Sequence, residues 1–411
     1  MTTQASREPG SDRIDVIDMG DGRTVSGFVD AGYGPVLDAF KTNFLLRHDL
    51  GSACSAYVGG RRVVELWGGV ADRRTRRPWN RDTAAVMFSC SKGVLAVCVY
   101  RLVEDGRLEL DAPIAQYWPA FGDHGKAGIT LRDAMSHRAG LPALDTDLGR
   151  DDVLAWDPVI HAIEAQRPLH EPHDGHVYHA LTYGWIVGEV IRRITGLLPG
   201  RFFRAAIGDV LGLRTWIGIP RAARTTVCWM EPPLPDEDSD AAREAARLAR
   251  DNVTIARSLS MGDAFVFPAH GDMVTFNDPQ IQAAEVPGAN GISTAESLAR
   301  MYAACVGPID GTRLLSDASI ADSLRVQSAG PQRSGMPDDG SRWGTGFQLS
   351  SPPHQPMLGP ASFGHAGAGG QLGFGDAGRG VGFAYLSNQM GGYGDARARE
   401  LTLALGRVVG A

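Results

Sequence analysis

Apolar residues change their spacing several times along the chain, and each change marks an element. From Val36 to His48 they fall at helical intervals. The run SACSAYVGGRRVVELWGG then packs apolar and small residues at strand density on either side of Gly59-Gly60. This predicts strands Ser52–Val58 and Arg62–Gly68 joined by a two-residue turn, since adjacent glycines tolerate the left-handed backbone of a tight hairpin. A helix is predicted from Ser89 to Asp105, stopped by Gly106. TLRDAMSHRAGLP reads as a short helix ended by Gly140 and Pro142. LTYGWIVGEVIRRITG reads as an amphipathic helix ended by Gly196.

The middle of the chain is less regular. EPPLPDEDSD is an acidic, proline-rich loop, followed by an Ala/Arg helix over Ala241–Arg257 and a loop-rich stretch carrying Phe265, Phe267 and Phe276. STAESLARMYAACV is a helix, with Ser293 and Glu296 at the spacing of a capping box. RWGTGFQLS, ASFGHAGAGGQLGFGD and GVGFAYLSNQ read as short glycine-rich strands, and DARARELTLALGRVV as a closing helix. Strands thus lie near both ends with helices between them. The expected fold class is α/β: an antiparallel sheet flanked by helices, built from both chain ends, with an inserted all-helical lobe. The expected division is a loose arm over 1–30, an α/β domain over 31–110 and 300–411, and a helical domain over 111–299 with a lid-like segment at 231–290.

Composition narrows the function. The 411 residues are 43% apolar, enough for a large core, and the net charge is −7. That charge excludes partners that need a basic surface, such as nucleic acid or anionic membrane. No run approaches the roughly 18 apolar residues of a membrane span. The polar start MTTQASREPGSDRIDV shows no export signal, so a cytoplasmic location is expected. The five scattered cysteines, with no C-x-x-C, fit reduced thiols.

Candidate chemistry sits in three places. FSCSKGVLA (88–96) puts Ser89 and Lys92 three residues apart on one helix face, inside an apolar run where a solvated lysine is out of place. A serine hydroxyl needs a base, and burial lowers a lysine toward that role. Ser91 is the competing nucleophile, but it faces another direction. Tyr178 stands just before a helix, where its hydroxyl can enter a cleft as a proton donor or acceptor. Tyr183, within that helix, reads as packing. FGHAGAGGQLG (363–373) surrounds His365 with glycines, as expected of a strand whose backbone approaches another group closely. A fourth pattern, His170, His173, His176 and His179 at three-residue spacing, invites a zinc site. Pro172 and Gly175 break any helix that would align them, so no metal is expected.

Together these segments resemble the class C β-lactamase-like serine hydrolases, a family with the penicillin-binding-protein fold, and within it the family VIII carboxylesterase type. Ser89-Cys90-Ser91-Lys92 matches the S-x-x-K motif. AMSHRAGLP resembles the family's L-L-S-H-T-S-G-L-P segment, and PGANGISTAESLARMY its helix entry. Two motifs depart. The family's Y-x-N is here Tyr178-His179-Ala180, and its K-T-G is His365-Ala366-Gly367. The resemblance implies an acyl-enzyme on Ser89, with Lys92 as base and Tyr178 as proton carrier. It also implies an oxyanion hole from the backbone N–H groups of Ser89 and Ala368, and a substrate site including His365, Gly367 and His179. The implied substrate is a small ester of short to medium acyl length, without cofactor. An acyltransferase, a β-lactamase or D-amino-acid amidase, and a non-catalytic binding protein are the alternatives. The sequence sets no oligomeric state.

Overall fold

A computed structural model of the chain describes residues 15–19, 23–234, 240–265, 274–353, 355–392 and 395–410. Its strands are β1 (Asp15–Asp18), β2 (Thr24–Val29), β3 (Gly51–Val58), β4 (Arg61–Asp72), β5 (Arg77–Pro78), β6 (Ala85–Val86), β7 (Thr215–Trp216), β8 (Ile292–Ser293), β9 (Ser328–Ala329), β10 (Arg342–Trp343), β11 (Gln348–Leu349), β12 (Ser362–Gly367), β13 (Gln371–Asp376) and β14 (Val381–Ser387). The large antiparallel sheet runs β1-β2-β4-β3-β14-β13-β12-β11-β10-β9, with β5 paired to β4. β14 pairs with β3 from Val381↔Val58 to Ser387↔Ser52, so the two chain ends share one sheet. Helix α1 (Gly34–Leu46) and the Arg397–Val409 helix cover one face. Helix α2 (Cys90–Glu104) and the Ala295–Val306 helix cover the other. The α/β fold class read from the sequence is the one observed.

The hairpin between β3 and β4 forms where the glycine pair predicts it, with Gly59 at φ 56° and Gly60 at φ 80°. β4 continues past the expected Gly68 to Asp72. Gly68 is a place of close approach, not an end: a Cβ there would lie 2.9 Å from the Thr24 carbonyl oxygen on β2.

Several local expectations are corrected. Residues 15–18 and 24–29 are sheet strands, where an arm was expected; Val25 and Phe28 are buried. The middle of the chain is not purely helical, because β7 pairs with β8, which also pairs with β6. The Ala241–Arg257 helix is two helices, Asp240–Asp251 and Val253–Ser260. Asn252 caps the second by accepting from the Ile255 N–H. The cap of the Ala295–Val306 helix is Thr294, not Ser293, and Glu296 instead accepts from the Tyr57 hydroxyl at 2.6 Å. Residues 235–239 of the acidic loop, and Phe267, lie outside the described residues.

Candidate active site

Phe88 holds φ 45°, a backbone state that bulky residues rarely adopt. The chain therefore turns sharply between β6 and α2, and Ser89 stands at the N-cap of α2. Three residues on, Lys92 is fully buried, and its Nζ lies 3.3 Å from Ser89 Oγ. The Lys92 Nζ also donates to the carbonyls of Ala180 at 2.7 Å and Gly288 at 2.9 Å. Burial pulls the Lys92 ammonium from the usual 10.5 down to about 7. Tyr178, just before the Thr182–Thr195 helix, donates its hydroxyl to Ser89 Oγ at 2.9 Å. Burial raises the Tyr178 phenol above its ordinary range, and the Ser89 hydrogen bond opposes that rise.

A neutral lysine has two N–H bonds and one lone pair. Here the two carbonyls take the N–H bonds, so the lone pair faces Ser89. This arrangement can accept the serine proton, and Tyr178 stands on the same oxygen to pass a proton onward.

Ser91 is elsewhere. It is buried, donates to the Phe88 carbonyl at 2.5 Å and accepts from the Gly291 N–H at 2.9 Å. Tyr183 packs: its hydroxyl lies 3.4 Å from the Lys92 carbonyl and does not reach Ser89.

β12 closes the other side of the cavity, which holds about 450 Å³ and is lined by Ser89, Tyr178, His365, Gly367 and Ala368 among others. Gly367 lies against the turn before Ser89, where a Cβ would sit 2.4 Å from the Met87 carbonyl oxygen. The Ala366 N–H donates to Gln348 Oε1 at 3.1 Å, and the Ala366 carbonyl lies 2.6 Å from His365 Nδ1. Burial, then the nearby Lys92 charge, lowers His365 to about 3, so its ring is neutral.

His179 departs from its expected place. It is fully buried, with Nδ1 donating to the Val177 carbonyl at 2.6 Å and Nε2 accepting from the Leu141 N–H at 3.0 Å. Both ring nitrogens are used inside the fold, so His179 braces the Tyr178 loop instead of lining the cavity. The four spaced histidines do not converge: His173 goes to Asp133, and among the described residues no three potential ligands gather. Phe265 and Phe276 stack on each other, and Phe276 packs edge-on against Phe88, so they back the turn behind Ser89. The apolar wall of the cavity includes Leu181, Leu259 and Ala289. All five cysteines are free and buried.

Two further residues escape a reading from sequence. Trp343 on β10 stacks on Tyr178, with ring centroids 5.2 Å apart, and lines the cavity. His137 packs against both rings, at 4.7 Å from Tyr178 and 4.5 Å from Trp343. His137 lies inside AMSHRAGLP, so that segment carried a signal. Trp343 lies in a two-residue strand and carried none.

The fold and site define a serine hydrolase of the β-lactamase fold. The chain belongs to the beta-lactamase family, whose sequence model matches residues 46–406. It is 35% identical over 380 residues to the esterase/beta-lactamase LipL of Mycobacterium tuberculosis, covering 90% of this chain and 84% of that protein. The structure of a family VIII carboxylesterase superposes with a TM-score of 0.82 at 31% identity, over 93% of this chain and 99% of the other. A penicillin-binding protein homologue from Caulobacter crescentus superposes with a TM-score of 0.80 at 30% identity, over the same shares. Among the described residues, no helix is long and apolar enough to cross a membrane.

Proposed function

We propose that the protein is a carboxylesterase that forms an acyl-enzyme on Ser89 from esters of short to medium acyl length. One observation carries the reading: Ser89 Oγ lies within reach of both Lys92 Nζ, at 3.3 Å, and the Tyr178 hydroxyl, at 2.9 Å. Ser89 Oγ bonds to the ester carbonyl carbon while its proton passes to neutral Lys92. The backbone N–H groups of Ser89 and Ala368 hold the oxyanion. The bond to the alcohol oxygen then breaks, and the proton reaches that oxygen through Tyr178. Water attacks the acyl-enzyme by the same route in reverse and releases the acid.

The substrate class rests on the cavity. Leu181, Leu259 and Ala289 offer an apolar wall to an acyl chain, and the last two come from the segment expected to form a lid. His365 replaces the cation of K-T-G with a neutral ring, so a carboxylate gains no anchor there. The names of the similar proteins, an esterase/beta-lactamase and a family VIII carboxylesterase, support this choice. The test is a panel of p-nitrophenyl esters of rising acyl length, with nitrocefin and a D-alanyl amide alongside. Short and medium esters should exceed nitrocefin by more than about tenfold in kcat/KM, roughly 1.4 kcal/mol of transition-state discrimination. Nitrocefin turnover within about tenfold of the best ester overturns the assignment.

A further inference from the structure

Among the described residues that line the Ser89 cavity, Asp339 is the only Asp, Glu, Lys or Arg. His365 is neutral: its Nδ1 faces the Ala366 carbonyl oxygen, which only accepts, and burial holds the ring below its usual pKa. Asp339 lies on the loop between β9 and β10, and that loop is pinned on both sides of it. Before it, Gln332 Oε1 accepts from the Tyr178 N–H at 2.9 Å, and the Arg333 N–H donates to the His176 carbonyl at 2.9 Å. After it, the Ser341 N–H donates to Asp339 Oδ1 at 2.9 Å, and Trp343 stacks on Tyr178. Asp339 is half-buried, and no arginine, lysine or histidine among the described residues pairs with it. Its charge reaches the reacting groups. Burial does most to raise the Tyr178 phenol, and the Asp339 carboxylate adds to that rise.

A second cavity of about 470 Å³ adjoins the first and shares Asp339, Ser341, Gln348, Ala366 and Gly367 with it. The other charged residues on its wall have partners: Asp395 pairs with Arg397, and Arg399 with Glu400 at 3.3 Å. Among the described residues, Asp339 is thus the one charged group left unpaired where the two cavities meet. Leu181, Leu259 and Ala289 line the first cavity and not the second. An acyl chain against that apolar wall leaves the junction to the other half of the substrate, the alcohol. A carboxylate in a partly enclosed cleft draws cations and repels anions. The attraction exceeds that of a fully exposed charge, because less water screens it.

We infer that Asp339 selects the leaving alcohol by charge, so that the preferred substrates are esters of cationic amino alcohols. The inference rests on the esterase reading and refines it: the ammonium group of the alcohol sits at the junction of the two cavities, beside the Asp339 carboxylate. Asp339 acts in binding and takes no part in the acyl transfer.

The test compares butyrylcholine with 3,3-dimethylbutyl butyrate, which has the same shape with carbon in place of the charged nitrogen. Dividing the ratio of their kcat/KM values by the ratio of their hydroxide hydrolysis rates removes the electron withdrawal of the ammonium. The wild-type protein should then favour butyrylcholine by about tenfold, between the values for a close ion pair in bulk water and at a protein surface. Asp339→Asn keeps an acceptor for the Ser341 N–H and removes only the charge, so it should bring the corrected ratio to within about twofold of one. Asp339→Ser should do the same. Each variant is read as a ratio, so a change in overall activity cancels. p-Nitrophenyl butyrate serves as the measure of esterase activity. If it is cleaved but the corrected wild-type ratio lies within about twofold of one, charge selection is overturned while the esterase reading stands. A wild-type preference that persists in either variant also overturns it. If p-nitrophenyl butyrate is not cleaved, the esterase reading fails and this inference with it.

Discussion

Two backbone carbonyls, from Ala180 and Gly288, hold the Lys92 amine against Ser89 in a place water does not reach. Burial is what lowers this amine, and the consequence is readable in pH. If Lys92 must be neutral to take the serine proton, kcat/KM should rise with pH and level off above about 7. Stability follows the same group. The folded pKa lies below the unfolded one, so between about 7 and 10.5 the unfolded chain binds the extra proton. Stability contributed by this residue therefore rises with pH across that window, by up to about 1.4 kcal/mol per pH unit. Lys92→Met should remove that contribution, seen as a smaller gain in urea stability between pH 7 and 10 than the wild type shows. Equal gains would contradict the assignment. The two serines should separate cleanly. Ser89→Ala should lower turnover by about a thousandfold or more with the fold intact. Ser91→Ala should cost about 1–3 kcal/mol of stability, because it strips a partner from the buried Gly291 N–H, while Ser89 still takes a fluorophosphonate label. Peptide mapping of the label decides this: a tag on any other serine sinks the assignment.

The element that sets the width of the site is β12. It meets the turn before Ser89 at Gly367, whose backbone lies so close to Met87 that no side chain fits. Gly367→Ala should push β12 away from α2, lowering kcat/KM by about a hundredfold through misplaced donors. It should also lower the melting temperature, and a variant with native kinetics would show that the strand is not positioned by this contact. The sequence carried part of this scale. Gly106 and Gly196 sit just past their helices, as predicted, because a C-terminal left-handed residue is a local requirement. Local patterns misled where a contact overrode them. Ser293 has the composition of a cap, but its hydroxyl is taken by Thr215 across a short strand pair, so Thr294 caps instead. Gly68 reads as a strand end but serves the approach of β2.

Across the whole molecule, the two chain ends are joined by a buried charge cluster. Asp49, between α1 and β3, accepts from Arg397 at 3.1 Å, Ser387 at 2.8 Å, Tyr385 at 2.6 Å and Ser52 at 2.7 Å. Arg397 reaches on to the Gly369 carbonyl, beside Ala368, at 3.0 Å. Asp49→Ala leaves the guanidinium buried beside Asp395, its one remaining carboxylate partner among the described residues, and should cost about 3–5 kcal/mol. Urea unfolding checks this, and a loss below about 1 kcal/mol would show that the cluster does not bind the ends together. The double variant Asp49→Ala/Arg397→Met should lose less than the sum of the single changes, since the pair's coupling is counted twice. The contacts between the two ends could not be read from spacing, because Asp49 and Arg397 are 348 residues apart in sequence. What the sequence by itself determined is local: the glycine hairpin, the helix that puts Ser89 and Lys92 on one face, the placement of Tyr178 ahead of its helix, and the strand-rich ends. Those follow from backbone geometry over a few residues. Only the tertiary structure decided that Tyr178 and not Tyr183 meets Ser89, that His179 is spent inside the fold, that His365 is held in one tautomer, and that Trp343 joins the cavity. Each of these depends on where distant segments cross, and hydrophobic pattern fixes which face of an element is buried but not which distant residue it meets.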